Sequence, residues 1–410
     1  MYFRLFIIFF VAAFAYKAIY FSTRGLTPAL KVSIGVAYWL IVVVLMSLLT
    51  YSWLNWSEMH DKHPELHNFV IGAVLTMFFT TLIISIFHLF DDIIWLVRKL
   101  AGAFRSKESL PGTSISRTEF LTKSGLALGG VIFGSFMWGI TKGKFNFRVI
   151  EQKLAFNNLP KAFNGLRIVQ ISDAHLGSFN NNLEPIKHCV EMVNDLKPDV
   201  IVFTGDLVNT HHEEALPWID VFRKLEAPMG KFSILGNHDY GYYGDLTEAE
   251  QVAVRQGVID IEKEMGFQPL INEHVHLEKD GDKLAVIGVE NWGKSHWFPK
   301  AGDYKLASQG VSDETFQLLL SHDPTHWDEH IVGQTAVDLT LSGHTHGAQM
   351  GISIPGVLEI SPAQLLFKRA KGLYTEGKQQ LYVNRGLGFL IFPGRVGMAP
   401  EITCLDLSVA

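Results

Sequence analysis

The sequence is poor in cysteine and nearly balanced in charge, and both features exclude classes of protein. Of its 410 residues only two are cysteines, Cys189 and Cys404. One disulfide is conceivable, but two cysteines form no disulfide framework, and neither lies in a metal-ligand pattern. The formal net charge is −6. The chain therefore lacks the basic excess of a nucleic-acid-binding protein, and we expect no nucleic-acid partner.

Charged residues are also missing from long stretches near the N-terminus. Residues 33–54 and 69–90 contain no Asp, Glu, Lys or Arg. A spanning helix needs about 20 mostly apolar residues, so these stretches are too long and too apolar for buried helices of a soluble domain. Two shorter apolar stretches flank them. We predict an all-α transmembrane region of about four helices in residues 1–144, and a second domain in residues 145–410. The predicted spans are residues 5–21, 33–54, 69–90 and 124–140.

Basic residues in the loops indicate an orientation for these spans. The loop between spans three and four holds Arg98, Lys99, Arg105, Lys107 and Arg117, with Lys123 at its edge. The loop between spans two and three has only Lys62, beside Glu58, Asp61 and Glu65. Because basic loops stay in the cytoplasm, we predict that residues 91–123 are cytoplasmic and that the second domain lies outside, at a bacterial cytoplasmic membrane. Three basic residues after span four argue weakly against this: Lys142, Lys144 and Arg148.

In the second domain, apolar runs alternate with helical patterns. Strands are predicted at residues 166–172, 200–203 and 231–235, with helical stretches at 183–197 and 213–225. This alternation predicts a largely parallel sheet with both faces covered. The remainder is richer in strands, predicted at 284–289, 316–320, 337–341, 351–360, 380–384 and 401–407. Residues 240–250 are predicted to be a flexible rim loop.

Five of the predicted strands end in residue types that bind metals. In chain order these are Asp173 and His175, Asp206, Asn237 and His238, His322, and His344 and His346. Side chains two apart on a strand share a face, so His344 and His346 are expected to point at one site. Each residue has a structural alternative, because Asp and Asn also cap helices and stabilise turns. One site at the carboxyl ends of the strands explains why the pattern recurs.

These motifs resemble those of the calcineurin-like metallophosphoesterase superfamily, and the layout resembles its membrane-tethered or exported bacterial branch. The match covers roughly residues 165–407. Its blocks are Asp173-Ala174-His175, Gly205-Asp206, Gly236-Asn237-His238-Asp239, His322 and Gly343-His344-Thr345-His346. The resemblance implies an α/β fold, a four-layer α/β/β/α sandwich that here follows the transmembrane helices. It also implies a site for two divalent metal ions.

The resemblance further implies a role for each residue. The first ion would take Asp173, His175, Asp206 and His346. The second would take Asp206, Asn237, His322 and His344, so that Asp206 bridges the two. His238 would protonate the leaving group, and Asp239 would orient the imidazole. These mixed ligands suit Mn, Fe or Zn without choosing among them.

Several other residues have two interpretations. Arg395 could contact a substrate phosphate, or it could form a structural salt bridge. The aromatic residues Trp292, Trp297 and Phe298 could line a wall of the site, although core packing is the simpler explanation. The adjacent histidines His211 and His212 are interpreted as part of a solvated loop.

Together these patterns predict a membrane-anchored, dinuclear metal-dependent phosphoesterase. It would hydrolyse a phosphodiester or pyrophosphate bond by attack of a metal-activated water. A lipid-linked substrate is one candidate, because the chain is anchored and relatives act on nucleotide-linked lipid precursors. The alternatives are a phosphomonoesterase and a non-catalytic membrane receptor or scaffold with a structural metal site. His238 favours an enzyme, since a structural site has no need of that histidine.

Overall fold

The computed structural model describes residues 2–56, 58–59, 63–102, 116–354 and 358–410. Four charged residues used to predict the orientation lie outside the described residues: Asp61, Lys62, Arg105 and Lys107. The chain divides into two compact units, Met1–Thr141 and Lys142–Ala410. The two units are described separately.

The first unit contains the four apolar helices predicted from the sequence. They are α1 (Tyr2–Ser22), α2 (Pro28–Leu54), α3 (Pro64–Gly102) and α4 (Arg117–Thr141). Each is long and apolar enough to cross a membrane. Helix α3 has 39 residues, well beyond the predicted third span, and its last turns carry Arg98 and Lys99. Pro28 is the first residue of α2. The backbone N–H that proline lacks would have no acceptor within the helix at this position, so its absence has no cost.

Small residues and buried polar contacts join the helices of this unit. Gly125 and Gly129 of α4 let that helix approach α3, since a Cβ on Gly129 would lie 2.8 Å from Ile84 Cγ1. Spacing small residues four apart is a common means of close helix packing in membranes. Asp91 of α3 accepts from Arg117 Nε at 2.6 Å and from the Thr118 hydroxyl at 2.9 Å. Steric fit and a charge pair thus both hold α3 against α4.

The second unit contains a first mixed sheet of six strands, as far as the described residues show. Its spatial order is β1 (Arg148–Phe156), β14 (Glu401–Val409), β2 (Arg167–Ile171), β3 (Val200–Phe203), β4 (Lys231–Ser233) and β5 (Gln268–Pro269). The strands β2 to β5 are parallel, whereas β14 is antiparallel to β2. Helices α5 (Glu184–Asp195), α6 (Ile219–Phe222) and α7 (Glu248–Glu264) follow β2, β3 and β4 along the chain.

The described part of the second sheet also has six strands. Their spatial order is β12 (Gly372–Glu376), β13 (Gln379–Val383), β9 (Leu339–Ser342), β8 (Phe316–Leu320), β7 (Asp282–Gly288) and β6 (Glu273–Lys279). The four central strands are parallel. Helix α8 (Tyr304–Ala307) precedes β8. A separate hairpin is formed by β10 (Ile352–Ile354) and β11 (Leu358–Ile360), followed by α9 (Ala363–Leu366).

Three apolar clusters show that the unit has four layers. Alternate residues of β2 and β3 point to opposite faces of the first sheet. One face, with Val169 and Ile201, packs on α5 and α7. The other face, with Ile168 and Val200, packs on the second sheet. The far side of the second sheet packs on α8 and the helical turn around Trp327. The α/β/β/α sandwich expected from the resemblance is therefore present.

Three segments differ from the sequence-based predictions. Residues 145–164, in which no strand is predicted, include strand β1. Residues 351–360, predicted as one strand, form the β10–β11 hairpin. The rim loop predicted for residues 240–250 ends in helix α7, because Thr247 and Glu250 form a reciprocal capping box at its start. Both cysteines are free and buried.

Candidate metal centre

The motif residues lie just beyond the carboxyl ends of β2, β3, β4, β8 and β9. Many of them adopt left-handed backbone conformations that non-glycine residues rarely take. The φ angles are 48° at Asp173, 44° at His175, 60° at Asp206, 72° at His344 and 51° at His346. The chain therefore turns sharply after β2, β3 and β9, and the extended geometry expected for His344 and His346 is wrong. Such strain concentrates at functional sites.

One group of metal-binding side chains gathers around His175 and His346. Their Nε2 atoms are 3.1 Å apart. The carboxylate oxygen Oδ1 of Asp173 lies 3.2 Å from His346 Nε2, and Oδ2 of Asp206 lies 3.6 Å from His175 Nε2. One atom from each of these four residues lies within 4.8 Å of the other three. The cluster is almost completely buried.

A second group gathers on the other side of Asp206. Oδ2 of Asp206 is 3.1 Å from His322 Nε2. The amide oxygen Oδ1 of Asn237 is 3.2 Å from His322 Nε2 and 2.7 Å from His344 Nδ1. The two groups thus share the carboxylate of Asp206, and its Oδ2 atom faces both. Its other oxygen accepts the His238 backbone N–H at 2.8 Å, which fixes the carboxylate plane.

The ligand atoms of this site suit cations, because their lone pairs face one another across it. His322 Nδ1 donates to the Thr204 carbonyl at 2.7 Å, so the neutral ring presents a bare lone pair at Nε2. That lone pair faces the oxygens of Asp206 and Asn237. Acceptors packed this closely require a proton or a metal ion between them, and Asp, Asn and His are the ligands of divalent transition metals. A metal ion bound here would therefore meet ligand types that suit it.

The electrostatics of the cluster lead to the same conclusion. Burial raises the pKa of Asp173 to about 7, and the charge of Asp206 adds to this effect. Burial alone would lower the pKa of His322, but the charge of Asp206 and the hydrogen bond to it outweigh burial and raise that pKa to about 10. Without a metal ion, a proton takes up the negative charge of this centre. Bound cations would reverse that preference.

His238 stands beside both groups, between two aromatic rings. Its ring lies edge-on to His175 at 4.9 Å and stacks on Tyr243 at 4.1 Å. Its Nδ1–H donates to the Asn209 carbonyl at 2.7 Å, which leaves Nε2 free for a ligand. Burial lowers the pKa of His238.

Asp239 does not orient His238 as the sequence analysis expected. Its carboxylate accepts the backbone N–H groups of Asp206, Leu207 and Gly236, each at 2.8 Å. The tautomer of His238 is set instead by the Asn209 carbonyl. Asp239 therefore holds the loop that carries Asp206.

Arg395 is buried behind His346. Its guanidinium donates to the carbonyls of Gly388 at 2.8 Å and Arg385 at 2.8 Å, and Nη2 lies 3.3 Å from His346 Nδ1. Burial lowers the pKa of Arg395 to about 9. These contacts are structural, although they are not the carboxylate salt bridge considered as the alternative. A contact with a substrate phosphate stays a prediction.

The remaining aromatic and histidine candidates lie at different distances from the centre. Phe298 packs edge-on against the His344 ring at 4.9 Å, so the apolar wall interpretation holds for this residue. Trp292 packs instead on His330 at 4.4 Å, and Trp297 is 75% exposed. His212 packs over Gly257 of α7.

Sequence reasoning missed three neighbours of the ligand residues. Tyr243, placed in the supposed rim loop, accepts a hydrogen bond from Asn237 Nδ2 at 2.8 Å and stacks on His238. Asp323 lies with Oδ2 3.6 Å from His344 Nε2. Phe367 packs edge-on against the His344 ring at 5.5 Å. Of these three residues, only Asp323 could have been suspected from the sequence, because it directly follows the candidate ligand His322.

The motif glycines are explained by how closely the strand ends meet. A Cβ on Gly236 would lie 2.2 Å from Asp206 Oδ1, and one on Gly343 would lie 2.2 Å from Asp173 Oδ2. Real Cβ atoms do not approach other atoms so closely. Glycine at these two positions is what allows the carboxylates to sit between adjacent loops.

Two family models match the chain. Residues 1–144 match "Probable Calcineurin-like phosphoesterase, transmembrane domain". Residues 166–348 match "Calcineurin-like phosphoesterase". The second match contains all five motif blocks.

Similar proteins come from bacteria and animals. The uncharacterized metallophosphoesterase YkuE of Bacillus subtilis is 34% identical over 264 residues, which are 63% of this chain and 84% of that protein. A transmembrane protein with metallophosphoesterase domain of Danio rerio is 27% identical over 380 residues, 91% of this chain and 81% of that protein. The UDP-2,3-diacylglucosamine pyrophosphatase LpxG of Chlamydia muridarum is 29% identical over 277 residues, 56% of this chain and 81% of that protein.

Proposed function

Because this chain belongs to the calcineurin-like phosphoesterases and is a membrane-anchored, metal-dependent phosphoester hydrolase, we propose that it uses two metal ions to cleave a phosphodiester or pyrophosphate bond. The observation that carries the proposal is the sharing of Asp206 Oδ2 by two groups of metal-binding side chains. A carboxylate between two cation sites offsets the repulsion between the ions.

In this proposal the ligands divide as the geometry groups them. Asp173, His175, Asp206 and His346 hold one ion. Asp206, Asn237, His322 and His344 hold the other. When bound, such a pair of ions supplies positive charge to the phosphoryl oxygens and lowers the pKa of a water molecule. Manganese, iron and zinc all suit these ligands.

The residues of the chain itself perform the positioning and the proton transfer. The Thr204 carbonyl fixes the tautomer of His322, and Asp239 fixes the loop of Asp206. His238 places its free Nε2 where a proton can pass to the departing oxygen. A bound phosphoryl group favours the protonated imidazole, because an opposite charge nearby raises the pKa of histidine. His238 is therefore the general acid of the proposal.

We propose a lipid-linked substrate as the first class to test. One relative is named as a pyrophosphatase of UDP-2,3-diacylglucosamine, an acylated sugar nucleotide. This chain, with its four apolar helices, is held where such lipids reside. The loop between α3 and α4 is the basic one, so we place it in the cytoplasm and the catalytic unit outside, at a bacterial cytoplasmic membrane.

The direct test is hydrolysis of bis-p-nitrophenyl phosphate beside p-nitrophenyl phosphate. The purified full chain is stripped of metal, and Mn, Zn or Fe is added back, with Asp206→Asn as the matched variant. We expect metal-dependent cleavage of the diester that is lost in the variant. Preference for the monoester would contradict the diester assignment and favour a phosphomonoesterase. Absence of turnover with every metal would contradict the catalytic proposal.

A further inference from the structure

In the catalytic unit, an exposed apolar surface is formed by the β10–β11 hairpin and α9, here called the apolar finger (Ile352–Ile354, Leu358–Ile360 and Ala363–Leu366). Both strands of the hairpin are exposed along their whole described length. Leu365 is 89% and Leu366 is 77% exposed. The other exposed apolar side chains are Ile352, Ile354, Leu358 and Ile360. Contiguous exposed apolar surface of this kind marks an interaction site.

The apolar finger is built directly onto the metal loop. The Ser361 hydroxyl donates to the Gly347 carbonyl, and the Thr345 hydroxyl donates to the Ala370 carbonyl at 2.5 Å. Phe367, the residue after α9, packs on the ring of His344. The base of the finger is therefore held by the same loop that carries His344 and His346.

The shape and charge of the finger indicate its partner. Every described residue of the two strands is exposed, so the strands do not form a groove that would enclose a single acyl chain. Lys368 follows α9, and its side chain is 69% exposed although it pairs with Asp328 at 2.9 Å. The side chains of Arg369 and Lys371 are mostly buried in ion pairs with Glu376 and Glu359. Leucine and isoleucine beside an exposed lysine are typical of segments that enter the headgroup region of anionic membranes.

We propose that the apolar finger inserts into the surface of the lipid bilayer and presents the metal centre to phosphoesters that reside there. The four apolar helices of the same chain are long and apolar enough to anchor it in a bilayer. The presentation role rests on the proposed function, whereas insertion of the finger does not depend on it. The two parts are therefore tested separately.

Insertion is tested with an environment-sensitive fluorophore, NBD, attached to Leu365→Cys in the full chain. The two native cysteines are buried, and the unsubstituted chain measures any background labelling. Val252→Cys is the matched control, because Val252 is 64% exposed on α7. The protein is placed in vesicles of phosphatidylcholine and phosphatidylglycerol whose acyl chains carry a quencher.

We expect the probe at position 365 to be quenched several-fold more strongly than the probe at position 252. Equal quenching at the two positions would overturn the proposal. A blue-shifted emission at position 365 without quenching by the lipid would also overturn it, because the finger would then be covered by protein, such as a second copy of the chain. Cleavage of bis-p-nitrophenyl phosphate in the same vesicles separates this failure from failure of the proposed function.

Presentation is tested by the double substitution Leu365→Glu with Leu366→Glu, beside Val252→Glu. Both leucines are exposed, so we expect the fold and the hydrolysis of soluble bis-p-nitrophenyl phosphate to be unchanged. Hydrolysis of hexadecyl p-nitrophenyl phosphate in vesicles should fall roughly tenfold, because two charges oppose entry into the bilayer. Equal loss for both esters, or no loss for either, would contradict the presentation role.

Discussion

His238 is the residue whose role depends most on local geometry. Its Nδ1 is occupied by the Asn209 carbonyl and its N–H holds Asp206, so Nε2 alone is available to substrate. The contribution of a general acid to the rate depends on the leaving group, since a weakly basic oxygen can depart without being protonated. A histidine that only supported the metal loop would show no such dependence.

Replacing His238 by Ala should therefore lower kcat by roughly 100- to 10,000-fold for an alkyl leaving group and by much less for p-nitrophenol, with metal content unchanged. The measurement compares the two esters in the metal-loaded protein, with His211→Ala as the control. Equal losses for both leaving groups would contradict the general-acid role.

Glu262 is a buried carboxyl group behind the metal loops that the proposed chemistry does not use. It accepts from the Ser233 hydroxyl at 2.8 Å. Burial raises its pKa well above the usual value, and the charge of Asp239 adds to this effect. A raised folded-state pKa gives stability that is present below the unfolded pKa, about 4.3, and is lost as pH rises through the folded value.

Glu262→Gln should therefore raise the free energy of unfolding relative to the native chain, and the difference should grow as pH rises above about 4.3. Thermal unfolding at a series of pH values measures this difference, with the exposed Glu264→Gln on the same helix as the control. A difference between Glu262→Gln and the native chain that does not change with pH would contradict the prediction.

The sequence predicted the residue types of the centre better than their geometry. His344 and His346 were identified from their spacing, but the reason, a shared strand face, was wrong because both have positive φ. Asp239 was identified from its motif, yet it bonds backbone N–H groups rather than His238. Contacts of this kind depend on how separate loops meet, which no local pattern contains.

At the scale of elements, strong periodicity gave reliable predictions and weak periodicity did not. Long apolar runs predicted the four apolar helices, and short continuous apolar runs predicted β2, β3 and β8. Strands β1 and β6 are half exposed, so their apolar signal was too weak to find. Helix α7 was not predicted at all, although Thr247 and Glu250 form a recognisable capping pattern.

The contact of α3 with α4 depends on Asp91, which accepts from both Arg117 and Thr118. Asp91→Ala would leave the Arg117 guanidinium without this partner, and a lost hydrogen bond to a charged group costs about 2 kcal/mol. We expect a lower melting temperature for the helices in detergent, measured by circular dichroism. The pair of Asp92 with Lys17 is half exposed, so Asp92→Ala should matter less. An equal or larger effect of Asp92→Ala would contradict this assignment.

At the scale of the whole molecule, four apolar helices are joined to a metal-dependent phosphoesterase unit. The sequence predicted both parts, the first from its apolar excess and the second from its metal-ligand motifs. The side of the membrane depends on charges in loops, several of which lie outside the described residues. It therefore stays a prediction.

The orientation is tested by labelling intact cells with an impermeant maleimide. Asp245→Cys lies in the catalytic unit and Ser116→Cys lies just before α4. Both native cysteines are buried, so the introduced thiols report alone. We expect reaction at position 245 and protection at position 116 until the cells are lysed. The reverse pattern would contradict the proposed topology.

The central claim is that Asp206 joins two metal sites, and counting bound ions tests it most directly. The full chain is loaded with Mn, freed of excess metal by gel filtration, and analysed by mass spectrometry of the element. Two ions per chain are expected in the native protein and one in Asn237→Ala, because only the second group contains Asn237. One ion in the native chain, or an unchanged count in Asn237→Ala, would contradict the two-metal account.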